Sequence, residues 1–306
     1  TLYERTGKQV EAPDPVRYTA ELIKKGYIMA VKGLGGYHLA VDAENDEAVS
    51  RLRRRKLRDE KPFALMSPGL SQISLYARFD DAEEKLLTSP RRPIVLLRKR
   101  VPGPLSPRVS PHNGCFGVML PYTPLHYLIL SHGFTALVMT SGNRSEEPIA
   151  TDNEKAFARL SDIADYFLAH NRDIYVRCDD SIVRRTGGDI RLIRRSRGYV
   201  PLPVLLKERV APVLACGAEQ KNTVCLARGT RAFLSQHIGD LENLPAYEFF
   251  HQTIAHMERI LDIRPEILAC DLHPDYLSTR YVQERDDSGL TIPVQHHHAH
   301  VVSCMA

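Results

Sequence analysis

Residues 31–42 read VKGLGGYHLAVD: the end of one apolar run, three glycines in four positions, and the start of a second apolar run. Two buried strands joined by a turn are expected here, but an ordinary hairpin turn needs fewer glycines. The stretch fails as a dinucleotide fingerprint, because G-x-G-x-x-G requires glycine where His38 stands. It fails as a phosphate loop as well, because no Gly-Lys-Ser/Thr follows. Two readings stay open. The glycines make a tight hairpin, or they let the backbone approach a ligand closely, with Lys32 at the strand end supplying positive charge.

Strand candidates and helices alternate outward from this stretch. DPVRYTAELIKKG has helical spacing and a glycine stop, and the residues before it read as a polar lead. NDEAVSRLRRRKLRDEKP begins as a capped helix with Val49 and Leu52 on one face. FALMS, RPIVLLRK, FGVMLPYT and TALVMTSGN read as strands, and PLHYLILSHG as a helix closed by Gly133. DNEKAFARLSDIADYFLAH is expected to be one periodic helix, and SIVRRTGGDIRLIRRSRGYVP two strands about a Gly-Gly turn. The texture changes near residue 206. PVLACGAEQKNTVCLARGTRAFL then predicts strand, turn, strand, turn, strand, followed by a long helix over LPAYEFFHQTIAHMERILDI and a strand ending at Asp271. This mixture argues for an α/β protein with domains at 1–205 and 206–306.

The chain of 306 residues is 43% hydrophobic and 25% charged, an ordinary globular balance. Its net charge of +4 permits an anionic ligand without requiring one. No run approaches the ~20 apolar residues that span a bilayer, and no secretory leader opens the chain, so a cytoplasmic protein without membrane contact is expected. The six cysteines form no C-x-x-C pair and read as reduced residues. The chain is expected to be a piece of something longer.

Three clusters could carry chemistry. RLRRRKLRDEKP is a solvated helix face, an RNA patch, or a phosphate clamp built from Lys56, Arg58 and Lys61; spacing alone does not choose. Ser141 and Asn143 end an apolar strand, where open α/β sheets bind ligands, though a plain Ser or Asx turn reads equally well. Ser181, Arg184, Arg195 and Arg197 fall on strand-like segments whose default reading is a solvent face. In QHHHAHVVSCMA, Ala299 interrupts the histidines and an apolar segment continues, which argues against a tag. On a helix His296 and His300 project from one face, as two ligands of one ion must, while His297 and His298 point elsewhere.

KGLGGYHLAVDA, LRRRKLRDEKPFALM, GVMLPYTPLH, TSGNRSEEPI and DDSIVR…IRRSRGYVP, in this order, resemble the YrdC-like domain, and more closely that domain in the HypF family. LACGAEQKNTVCLARG, SQHIGDLEN, CDLHPDYLSTRY and QHHHAH resemble the start of that family's second module. The resemblance runs from about Pro13 to the end. It implies a YrdC-like twisted mixed sheet with helices, followed by the N-terminal part of an actin/sugar-kinase-like α/β domain.

The resemblance further implies a carbamoyltransferase of [NiFe]-hydrogenase maturation. Carbamoyl phosphate and ATP with Mg2+ would yield carbamoyl adenylate. The carbamoyl group would pass to the C-terminal cysteine of HypE and become an iron cyanide ligand. Lys56 and Arg58 match the K-x-R pair and Ser141 and Asn143 the S-x-N turn. Lys32, Gly33, Lys61, Pro121, Ser181, Arg184, Arg195 and Arg197 would line the nucleotide pocket. LACGAEQKNT takes the place of the first phosphate loop, and His296 and His300 match the H-x-x-x-H metal pair. The family carries an acylphosphatase-like domain and zinc-finger-like segments before this region, and the rest of the ATPase fold after it. The chain is therefore expected to keep adenylation and to lack phosphatase action and transfer. It is expected to hold Zn2+ or Fe2+ weakly or not at all, because the carboxylate ligand lies beyond residue 306. The alternatives are a threonylcarbamoyl-adenylate synthase of tRNA modification and a non-catalytic RNA-binding module. The joined second domain and the HHHAH wording weigh against the first, and salt-dependent RNA affinity without nucleotide turnover would mark the second; nucleic acid is not the expected partner.

Overall fold

The computed structural model describes residues 1–144, 147–285 and 289–305. Ser145 and Glu146, inside the quoted TSGNRSEEPI, lie outside the described residues. The fold is mixed α/β in two compact units, one reaching to Gly198 and the other beginning at Tyr199. A single strand, Val204–Cys216, runs across the position expected for the domain junction.

The first unit is built on a twelve-stranded mixed sheet. At its centre Met29–Lys32 and Tyr37–Asp42 pair antiparallel, as the opening stretch predicts. Toward one edge follow Leu137–Ser141, Ala64–Met66, Cys115–Met119, Ile94–Lys99 and the hairpin Ile182–Thr186/Asp189–Arg194. That hairpin turns on Gly187 and Gly188, both at positive φ, as its Gly-Gly turn requires. Helices Pro15–Lys24 and Pro124–Leu130 cover one face, where Ile23, Val31, Ala40, Met66, Leu130 and Met139 share a core.

Two readings of the sequence are corrected on the opposite side of the sheet. The polar lead contains strands Leu2–Glu4 and Gln9–Val10, and Leu2 is fully buried. The helix expected over residues 152–170 stops at Leu160, and Tyr166–Leu168 forms a strand between Met29–Lys32 and Leu2–Glu4. The apolar spacing of this segment fits a helix as far as Leu160. Beyond it the Asp165 carboxylate accepts from Ile28 N at 2.8 Å and steers the chain into the sheet. Tertiary pairing overrides the local period here.

The glycines at 33–36 are a seat for another stretch of backbone. None of Gly33, Gly35 and Gly36 has positive φ. A Cβ on Gly35 would overlap the Cys178 carbonyl, and one on Gly36 would lie 2.5 Å from Ile149 Cδ1. The close approach is closed by Cys178 N donating to Gly35 O at 3.0 Å. The close approach these glycines allow is to the protein's own chain.

In the second unit Val204–Cys216 pairs antiparallel with Val224–Leu234, and Ile267–Asp271 and Leu290–Val294 continue the sheet in parallel. VCLARGTRAFL is one strand rather than two, because register shifts in the pairing accommodate Gly229 at φ +61. The helix Leu244–Leu261, capped by Asn243, buries Phe250, Ile254 and Met257 against Leu214, Leu226 and Leu268. Among the described residues no helix is long and apolar enough to cross a membrane.

Gly35→Ala should destabilise the first unit by about 1–3 kcal/mol, the usual range for overpacking against atoms that cannot retreat. Gly114→Ala, where a Cβ meets nothing within 4 Å, should change stability by no more than about 0.5 kcal/mol. Urea midpoints followed by circular dichroism measure both. Equal midpoints for the two variants would show that the Gly35–Cys178 approach is not tight.

Candidate functional site

The basic run 51–61 is divided by the end of its helix. Asn45 caps Asp46–Arg55, and Asp46, Glu47 and Arg53–Arg55 complement its dipole at the two ends. Leu57 then takes φ 50, which breaks the helix and turns Lys56 inward. Arg53 donates from Nη1 to the carbonyls of Arg58 (2.8 Å) and Asp59 (3.1 Å), pinning the loop that follows. Arg55 pairs with Asp165 at 2.7 Å. The solvated-face and RNA-patch readings therefore fail for most of the run, because Arg53 and Lys56 are buried and Arg55 and Arg58 half-buried.

Lys56 is the best-placed cation. It is 5% exposed, and its Nζ donates to Ser141 O at 2.6 Å, Asn143 O at 2.8 Å and Asn143 Oδ1 at 2.7 Å. Those three acceptors use all three ammonium protons. Ser141 Oγ donates to the same Asn143 Oδ1 at 2.7 Å. Burial, followed by the charges of Arg58 and Lys61, pushes the Lys56 pKa down to about 7. Arg58 reaches Thr140 Oγ1 at 3.3 Å and the Lys61 carbonyl at 3.0 Å, and lies over the Phe63 ring. Burial, then Arg53 and Arg194, pushes its pKa down to about 10. The turn 141–143 is joined to the glycine stretch through Gly142 N donating to Tyr37 O at 2.6 Å.

The remaining expected residues divide into groups. Lys32 is buried, donates to His170 O at 3.1 Å, and is lowered by burial. Gly33 N donates to Gly36 O at 2.8 Å. Pro121 is buried just after the strand Cys115–Met119. Ser181 is fully buried; its hydroxyl accepts from Ser196 N at 2.8 Å and donates to Arg197 O at 2.9 Å. Arg195, next to Ser196 in sequence, is half-buried. Lys61 is exposed, and Arg184 is exposed in the edge hairpin opposite Arg191. Arg197 does not lie on a solvent face. It binds Asp180 at 2.8 Å and the carbonyls of Arg91 and Arg92, and its Cζ stands 3.4 Å from the Tyr122 ring centre.

That guanidinium belongs to a buried network that sequence reasoning did not find. His38 Nε2 meets Asp180 Oδ2 at 3.2 Å, with Tyr122 OH at 3.4 Å and His126 edge-on to both rings. Burial alone would raise the Asp180 carboxyl, but His38 and Arg197 outweigh it and hold it well below the usual range. Burial and the neighbouring His38 push His126 down to about 3. The available signal was the charge of Asp180 beside an apolar strand, since a buried carboxylate demands partners.

A second cluster lies wholly in the second unit. A cleft of about 1300 Å³ is lined by the loop Gly217–Thr223 together with Asp271, His296, His298 and His300. Asn222 Nδ2 braces the loop on the carbonyls of Gly217 (2.9 Å) and Ala218 (2.7 Å). His296 and His300 lie on the helix His296–Ser303 with their Nε2 atoms 3.2 Å apart, and His296 Nδ1 is 2.6 Å from Asp271 Oδ2. This donor set, two imidazoles facing one another with a carboxylate behind, fits part of a zinc- or iron-type site. Among the described residues no group of three His, Cys, Asp or Glu side chains completes one.

The Sua5/yciO/yrdC family, described as telomere recombination, matches residues 21–196, and the HypF Kae1-like domain matches residues 208–306. The carbamoyltransferase HypF2 of Cupriavidus necator is 47% identical over all of this chain and 40% of its own length. A crystal structure of full-length HypF in the phosphate- and nucleotide-bound form superposes with a TM-score of 0.94 at 46% identity, covering 100% of this chain and 40% of that one. A Sua5 structure from P. abyssi, with a TM-score of 0.55 at 15% identity over 92% of this chain and 96% of its own, shares the fold alone. The chain thus spans about 40% of the length of the curated relatives it matches. The chain belongs to the Sua5/YciO/YrdC family, in the HypF-like arrangement that joins this domain to a Kae1-like one.

Proposed function

We propose that the chain is the adenylate-forming part of a HypF-type carbamoyltransferase, with the beginning of its transfer module. The first domain would take ATP and carbamate derived from carbamoyl phosphate. A carbamate oxygen bonds to the α-phosphorus, pyrophosphate leaves, and the product is a mixed anhydride of carbamate and AMP. In the whole protein the carbamoyl group then passes to the C-terminal cysteine thiol of HypE. The observation that carries this reading is the Lys56 ammonium holding the turn 141–143 beside Arg58. Because its protons already bind the turn, Lys56 serves ATP in two ways: it shapes the turn, and it supplies positive potential where pyrophosphate departs. Arg58 acts from the same side, and Lys32, Gly33, Lys61, Pro121 and Arg195 are assigned to the pocket's lining. Ser181 and Arg197 are assigned to its support, since their polar atoms are engaged within the protein. Among the described residues, the exposed Arg184 makes no hydrogen bond or ion pair that ties it to this pocket. A divalent ion held between His296 and His300 would polarise a carbonyl or phosphoryl oxygen in the transfer module.

ATP–pyrophosphate exchange tests the reaction. Exchange should depend on carbamate; exchange supported instead by threonine with bicarbonate would assign the chain to the tRNA-modifying chemistry.

Lys56 should also make ATP binding depend on pH. With a free pKa near 7, raised when an anion arrives, its contribution to affinity is full below pH 7. That contribution is lost as pH rises through the higher pKa of the complex, by at most about tenfold per pH unit for one proton. Lys56→Met should weaken ATP by roughly tenfold or more at pH 6.5 and abolish this slope. Calorimetry in buffers of different ionisation enthalpy measures the proton taken up. A folded Lys56→Met protein with parental affinity and slope would remove Lys56 from the site.

No cysteine here should act as nucleophile or acceptor. Burial pushes Cys178 and Cys225 up to about 11 and Cys216 up to about 12, so these remain thiols at neutral pH. Replacing all six by Ser or Ala should leave exchange within a few fold of the parent rate. One cysteine whose loss abolishes exchange in a folded protein would contradict this.

A further inference from the structure

Asp271 stands at the end of the strand Ile267–Asp271, facing the first turn of the histidine helix, and its two oxygens have different partners. Oδ1 accepts the backbone N–H of His273 at 2.9 Å. Oδ2 lies 2.6 Å from His296 Nδ1. The carboxylate side chain is 9% exposed, whereas that of His296 is 50% exposed and faces the cleft.

We propose that Asp271 is a positioning residue that fixes the tautomer of His296 and so prepares the His296–His300 pair to grip one divalent cation. The inference rests on reading that pair as metal ligands. A carboxylate can only accept, so the proton between Asp271 and His296 sits on Nδ1. His296 Nε2 is then left with a lone pair directed at His300 Nε2, 3.2 Å away. In the absence of metal, His300 can donate its own Nε2 proton into that lone pair. A cation takes the place of that proton, which moves to His300 Nδ1, and meets two neutral imidazoles already turned toward each other. Without Asp271 the His296 proton is free to sit on Nε2, where it blocks the ligand position. His297 does not line the cleft, which makes it a suitable control.

Asp271→Asn is the sharpest test because it keeps the shape and reverses the chemistry. The Asn Oδ1 remains held by the His273 N–H, so the amide NH2 takes the place of Oδ2 and donates to His296 Nδ1. The opposite tautomer, with hydrogen on Nε2, is then favoured. Two measurements are made on the dialysed chain: the ring ¹⁵N shifts of His296 at pH 8, and the Zn2+ dissociation constant by competition with a chromophoric chelator. The parent should show the Nδ1–H tautomer, and Asp271→Asn the Nε2–H tautomer with Zn2+ binding weakened by about tenfold to a hundredfold. Asp271→Ala should weaken Zn2+ by a similar factor, and His297→Ala should not. Parental tautomer and affinity in Asp271→Asn would overturn the proposal, as would an inverted tautomer with parental affinity. If His296→Ala binds Zn2+ as the parent does, the metal-pair reading itself fails, independently of the adenylation chemistry in the first domain.

Discussion

The first domain depends on placing one buried ammonium where three protein oxygens meet it. Taking a lysine out of water is costly unless each of its protons finds an acceptor. Here the acceptors come from a single turn, Ser141 to Asn143, at the end of a sheet strand. The helix Asp46–Arg55 must therefore end where it does, Leu57 must take its left-handed conformation, and the turn must keep its carbonyls directed inward. Arg53 fixes the following loop, and Gly142 fastens the turn to the strand that begins at Tyr37. The result is a rigid cationic centre whose charge, in the free protein, is full only below about pH 7. A polyphosphate arriving there would find the cost of desolvating the lysine already met by the fold.

Much of the sheet was legible because its strands are short apolar runs bounded by glycine, proline or capping residues. The paired strands around 33–36, the capped helix from Asn45 and the Gly-Gly hairpin at 187–188 follow from local rules. Where reading failed, long-range pairing decided. The segment after Leu160 has no local reason to leave the helix, and only the neighbouring strands and Asp165 make it a strand. Leu2 and its flanking residues form a strand only because Leu168 stands opposite. The single strand through Gly229 depends on pairing with a partner some twenty residues away in sequence, which spacing cannot register.

The site was legible in part. Lys56, Ser141 and Asn143 came out of motif and strand-end logic, and the fold joins all three. Their hydrogen bonds could not be foreseen, because the sequence does not say which side chain turns inward at a helix end. Arg197 and Ser181 are engaged by Asp180, Ser196 and backbone carbonyls. A charge that looks available in sequence becomes structural once a buried carboxylate needs it. Asp271 was read only as the end of a strand, because nothing local connects it to His296, twenty-five positions later.

The most direct measurement is the titration of the Lys56 side chain itself, followed by NMR in a lysine-labelled chain with and without ATP. The account predicts an Nζ pKa near 7 in the free protein, far below the ordinary lysine value, and an upward shift when ATP binds. A pKa of about 10.4 that ignores ATP would show that the ammonium is neither buried as described nor close enough to the phosphates to matter.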